Sequence, residues 1–133
     1  MDTPEVLQRL VQATNMHDVD TLVDCFTPDY RNETPAHPER GFQGHEQVRR
    51  NWTAIFAAVP DITAQVLATA VDGNSIWTEW EMSGTRRDGT PHRMAGVIIF
   101  GIDGRRILSA RFYLEPVDTT SGDVNAAVKA MTS

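Results

Sequence analysis

The sequence predicts an α+β domain in which a strongly curved antiparallel sheet packs against three N-terminal helices. Two observations carry this. Apolar residues recur at helical spacing as far as Val59, and from Ile62 the pattern changes to a two-residue, strand-like period. The second half is also punctuated by Asp72-Gly73, Asp88-Gly89 and Asp103-Gly104. Asp-Gly readily supplies the positive φ of tight hairpins, so successive hairpins and an antiparallel meander follow.

The elements can be justified in order. Thr3 is placed to cap a first helix that opens at Pro4, whose missing N–H costs nothing in a first turn. Val6, Leu7, Leu10, Val11 and Thr14 give this helix one burying face. His17-Asp18 interrupts, and Val19, Leu22, Val23 and Phe26 mark a short second helix ended by Pro28. Residues 30–34 read as a short strand or extended arm. The stretch 35–44, with Pro35, Pro38, Gly41 and Gly44, reads as a loop and a natural lid. Val48, Trp52, Ile55, Phe56 and Val59 form the stripe of a third helix that Pro60-Asp61 stops. Strands are expected over 62–70, 75–83, 92–100 and 107–115. Residues 1–116 are expected to form one domain, and 117–133 a flexible or weakly helical tail.

Strand alternation sorts the side chains into two faces. Ile76, Thr78, Trp80 and Met82 share one parity with Ala110, Phe112 and Leu114 of the last strand, and should face the helices. Trp77, Glu79, Glu81, Arg111, Tyr113 and Glu115 then lie outside, where Glu79 is expected across from Arg111. The third strand is apolar on both sides, with Met94, Gly96, Ile98 and Phe100 against Ala95, Val97 and Ile99. Such a strand needs cover on both faces. With helices on the concave side, a homodimer through the outer sheet face is expected.

Composition removes several classes. There are 133 residues, 41% of them hydrophobic, with 18 acidic and 12 basic residues and a net charge of −6. The basic residues cluster only as the pairs Arg49-Arg50, Arg86-Arg87 and Arg105-Arg106, too little for a phosphate backbone, so nucleic acid is not an expected partner. One cysteine, Cys25, excludes an intrachain disulfide and a thiolate zinc site, and reads as a small buried hydrophobe. His17, His37, His45 and His92 lack zinc-ligand spacing, and no Gly-rich phosphate loop follows a strand. No metal or cofactor is implied. No apolar run reaches the roughly 18 residues of a membrane span, and no signal peptide is evident. A cytoplasmic protein without membrane contact is expected.

Asn15 through Asp20 after the first helix, Phe26-Thr27-Pro28-Asp29, Gly44 before the third helix, and Asp103-Gly104 leading into Ile107 carry a resemblance. In these markers and in element order the chain resembles the SnoaL-like and nuclear transport factor 2-like superfamily. That cystatin-like cone is shared by ketosteroid isomerase, limonene epoxide hydrolase and polyketide cyclases. The resemblance implies a pocket for a small apolar polyketide- or terpenoid-like ligand. It also implies isomerisation, cyclisation or hydration as the chemistry. The isomerase positions for the oxyanion-hole tyrosine, the strand acid and the general base fall on Leu10, Gly96 and Thr34. Tyr30 and Asn32 match the water-holding pair of the epoxide hydrolase. That family's arginine and two aspartates fall on Trp80, Met82 and Phe112.

These residues define the candidate site. Tyr30 and Asn32 share one side of the arm. His92 has the inward parity of Met94 and Gly96, and is the candidate general base near neutral pH. Trp52, Phe56, Trp80, Met82, Met94, Gly96 and Phe112 are expected to line the pocket, with Gly96 inviting close approach by a helix side chain or ligand. Three readings stay open: an enzyme, a non-catalytic binder lacking the family's acids, or a structural dimerisation domain.

Overall fold

The computed structural model describes residues 4–133. Its elements are α1 (Glu5–Asn15), α2 (Val19–Asp24), β1 (Phe26–Glu33), a 3-10 turn (Pro38–Arg40), β2 (Phe42–Gln43), α3 (His45–Ala58), β3 (Thr63–Asp72), β4 (Ser75–Thr85), β5 (Pro91–Asp103), β6 (Arg106–Pro116) and α4 (Val124–Thr132). The proposed cap Thr3 lies outside the described residues. Pro4 itself occupies the cap position, and its carbonyl accepts from the N–H groups of Leu7 and Gln8 at 3.1 Å.

One six-stranded sheet has the order β2-β1-β6-β5-β4-β3. Strands β3 to β6 form the antiparallel meander that the Asp-Gly turns predict. The arm joins it differently: β1 lies parallel to β6, with Asn32 beside Ala110, and β2 pairs antiparallel to β1. Phe26, read from sequence as helical, begins β1. Thr27 precedes Pro28, a position that disfavours helical backbone, so α2 ends at Asp24. Register shifts at Val66/Ala68 in β3 and Gly101/Ile102 in β5 bend the meander into a cone, because a bulge increases local twist.

Burial follows the alternation. Ile76, Thr78, Trp80 and Met82 are buried against the helices, whereas Trp77, Glu79 and Glu81 are exposed. The core joins α1, through Val6, Leu7 and Leu10, to Ile98, Phe100, Ile107 and Ala110 of the sheet. One outward pairing is corrected. Glu79 stands opposite Val97, a strand away from Arg111, and the Arg111 guanidinium lies 3.7 Å from Glu33 on β1 instead. The parallel β1–β6 pair puts Glu33 and Arg111 in register.

Two side chains fix the helices to the sheet. Asn15 behaves like an extra strand: its amide donates to the Ala64 carbonyl at 3.0 Å and accepts from the Ala64 N–H at 2.6 Å. His17, at φ 56° in the break between α1 and α2, donates through Nε2 to the Ile62 carbonyl at 2.9 Å. Its ring stacks on Phe56 with centroids 4.4 Å apart. The histidine that interrupts the helical pattern thus clamps α1 to the α3–β3 turn. Beyond Pro116 the chain forms α4, capped by Asp123, with every residue exposed. No helix among the described residues is long and apolar enough to cross a membrane.

Candidate functional site

A cavity of about 310 Å³ opens between β1, the 35–44 loop, α3 and the concave sheet face. Each element contributes a short run of its own periodicity. Helix α3 supplies Val48, Asn51, Trp52 and Ile55, spaced three and four apart on one face. Strand β1 supplies Phe26, Tyr30 and Asn32, while β5 supplies His92 and Met94 and β6 supplies Phe112 and Leu114. Met82 and Ile62 close the floor, and Arg40 and Phe42 reach in from the loop.

Of the residues named from sequence, Tyr30, Asn32, His92, Trp52, Met82, Met94 and Phe112 lie on this cavity. Trp80, Phe56 and Gly96 do not. Trp80 is 1% exposed and belongs to the core. Its indole N–H is satisfied within the sheet, donating to Thr78 Oγ1 at 2.6 Å, and that hydroxyl donates in turn to the Ile98 carbonyl at 2.6 Å. Phe56 is turned toward His17. Gly96 is approached by β6: a Cβ there, at φ 148°, would run into the Tyr113 carbonyl oxygen and stand 2.9 Å from Leu114 Cα. The close neighbour foreseen for this glycine is backbone, not a ligand.

On the cavity Tyr30 and Asn32 hold one another, while Asn51 and His92 are held by residues outside its lining. The Tyr30 hydroxyl donates to Asn32 Oδ1 at 2.8 Å, with Tyr30 1% and Asn32 7% exposed. Burial holds the Tyr30 phenol far above its ordinary value, so it stays a neutral donor. Gln47 donates to Asn51 Oδ1 at 2.7 Å along α3. At the rim, Arg86 reaches His92 Nδ1 at 3.3 Å. Burial, helped by the Arg86 charge, holds the His92 imidazole below its usual value and so neutral near pH 7. Arginine only donates, so Nδ1 accepts and the ring proton sits on Nε2. The unengaged ring nitrogen of His92 is therefore an N–H, not a free basic nitrogen.

His37 and His45 flank the loop as their positions suggest, but neither lies on the cavity. His37 meets Glu115 Oε1 at 2.9 Å, and His45 donates to the Phe26 carbonyl at 2.7 Å. The loop is laced to β1 by Gly44 N–H donating to the Tyr30 carbonyl at 2.7 Å. Among the described residues, no Asp or Glu lines the cavity, and no group of His, Cys, Asp and Glu is placed to hold a metal ion.

Sequence reasoning missed Arg40, Phe42 and Asn51. A signal existed for Asn51, the polar residue in the Val48, Trp52, Ile55 stripe, where an amide on a burying face needs a reason. Arg40 stands in an irregular loop, and no periodicity could have assigned its direction.

The family model described as SnoaL-like domain matches residues 7–110. None of the curated proteins matches the chain. Among solved structures, a protein of ketosteroid isomerase-like fold from Catenulispora acidiphila superposes with a TM-score of 0.73 at 16% identity, covering 96% of this chain and 95% of that one. A protein described as a polyketide cyclase from Sinorhizobium meliloti gives 0.68 at 27% identity, covering 86% and 97%. Another so described, from Streptomyces antibioticus, gives 0.71 at 22% identity, covering 83% and 89%.

Proposed function

The chain belongs to the SnoaL-like domain family, and from that membership and the cavity we propose that it binds a small, largely apolar, polyketide- or terpenoid-like molecule between α3 and the concave sheet face. The observation carrying this is a cavity of about 310 Å³ walled by Phe26, Phe42, Trp52, Met94 and Phe112 with a few convergent polar groups. That is within the size and character of small-molecule sites, which run from about 300 to 1,000 Å³. Binding without proton transfer is the better-supported form. Abstraction of a proton needs a base near the operating pH. The cavity offers a neutral phenol, two amides and an imidazole whose acceptor nitrogen is already engaged. Catalysis of isomerisation, cyclisation or hydration is the second reading, favoured by the Tyr30–Asn32 pair, which is able to hold a water.

A screen of hydrophobic metabolites by ligand-observed NMR, followed by a turnover assay on each hit, separates the two. Hits without turnover support the binder, hits with turnover support the enzyme, and no hit ends both. Replacing Tyr30 with Phe removes the donor that orients Asn32, and affinity for a hit should fall about tenfold, the loss of one buried hydrogen bond. Unchanged affinity would take Tyr30 out of the site.

For the convex face we propose a back-to-back homodimer. Trp77 and Tyr113 are 49% and 39% exposed there, beside Val97 and Ile99 in register. Arg111 Cζ stands 6.0 Å from the Tyr113 ring centroid. Aromatics with arginine are what interface centres are enriched in. Sedimentation at micromolar concentration should give twice the chain mass, and Trp77→Glu should shift it to one. A monomeric parent protein would remove the proposal.

A further inference from the structure

The cavity is selective in the kind of hydrogen-bonding group it offers. Asn32 and Asn51 each accept one hydrogen bond at the amide oxygen, from Tyr30 and from Gln47, and neither NH₂ group has a partner among the described residues. His92, with Nδ1 taken by Arg86, presents Nε2–H. Arg40 adds a guanidinium, and its side chain has no hydrogen bond or ion pair with any described residue. Apart from the hydroxyls of Tyr30 and Thr34, every polar side chain on the cavity therefore presents N–H, and no described carboxylate competes for those donors.

Register brings two of these groups together. Asn32 pairs with Phe42, two residues after Arg40, and the intervening Gly41 is packed so closely that a Cβ there would lie 3.3 Å from the Asn32 carbonyl oxygen. The arginine thus leaves the loop beside the asparagine. A donor set next to an unpaired cation, bordered by Trp52, Met94 and Phe112, suits a ligand with an apolar ring body and an oxygen acceptor at one end. Charge-assisted hydrogen bonds are about twice as strong as neutral ones, so an anionic oxygen gains most.

Resting on the reading of this cavity as a ligand site, we propose that it selects an apolar ring compound bearing a carboxylate, whose oxygen is held by Asn32 and Arg40. A ligand with a cationic end is disfavoured, because its charge would stand near the Arg40 guanidinium with no described carboxylate on the cavity to offset it.

Three naphthalenes of nearly one shape test this: 2-naphthoate, 2-methylnaphthalene and 2-naphthylmethylammonium, measured by equilibrium dialysis at pH 7.5 against the full chain and its variants. 2-Naphthoate should bind about tenfold more tightly than either of the others, the worth of one charge-assisted hydrogen bond. Arg40→Gln, at an exposed position that leaves the core untouched, should cost 2-naphthoate about tenfold and leave 2-methylnaphthalene unchanged. Asn32→Asp should reverse the order between the anion and the cation. Equal affinity for all three probes, tightest binding of the ammonium probe, or an Arg40→Gln protein that binds 2-naphthoate as the parent does would overturn the anion preference while leaving the cavity a ligand site. Failure of all three probes to bind would remove the ligand site itself, and the preference with it.

Discussion

Gly96→Ala should destabilise the protein by about 3 kcal/mol or more, a large share of the roughly 5–15 kcal/mol that holds a small domain together. Two costs combine. At φ 148° a side chain is strained whatever the space. The new methyl group would also be driven into the Tyr113 carbonyl and the Leu114 backbone, which cannot rotate aside as a side chain would. Because Tyr113 and Leu114 lie in β6, whose pairing with β1 forms one wall of the cavity, a retreat of that strand would also disturb the site. Gly101→Ala is the control. It has no positive φ, and its nearest obstacle is the Ser109 hydroxyl, which can turn away. Urea denaturation should show a strongly lowered midpoint for the first variant and a midpoint near the parent's for the second. A parental midpoint for Gly96→Ala would mean that β6 yields easily.

The second large effect separates two tryptophans that look alike in sequence. Trp80→Ala should cost about 3–5 kcal/mol of stability, as expected for emptying a fully buried indole site. It also strips Thr78 of the N–H it accepts. Probe affinity of the folded fraction should stay close to that of the parent. Trp52→Ala should do the converse. Trp52 is half-buried on α3 and forms part of the cavity wall, so its loss should cost less stability but weaken 2-methylnaphthalene binding about tenfold, in line with the apolar area it covers. Thermal melts and dialysis on the same samples read both quantities. A Trp80 variant that keeps its stability yet loses the probe would exchange the two roles.

That distinction shows where the sequence stops. Trp52 and Trp80 both sit at inward positions of an apolar pattern, and periodicity reports direction only. Whether an inward side chain ends against another side chain or against open space depends on the distance between elements, and the bulges in β3 and β5 set it. Gly96 is a similar case. A glycine in mid-strand announces that something comes close, and β6, rather than α3 or a ligand, is what arrives.

The three helices, the meander and the inward set Ile76, Thr78, Trp80, Met82, Ala110, Phe112 and Leu114 were legible in the residues, and the cone through the family resemblance. The helices, the meander and the inward set are determined locally, by three- and four-residue spacing, two-residue spacing and Asp-Gly turns, whose physics acts between near neighbours. Tertiary structure alone decided that β1 runs parallel beside β6, that Glu33 rather than Glu79 meets Arg111, that Arg40 joins Asn51 on one cavity, and that His92 turns its acceptor nitrogen to Arg86. Each joins residues whose separation in space no local period encodes.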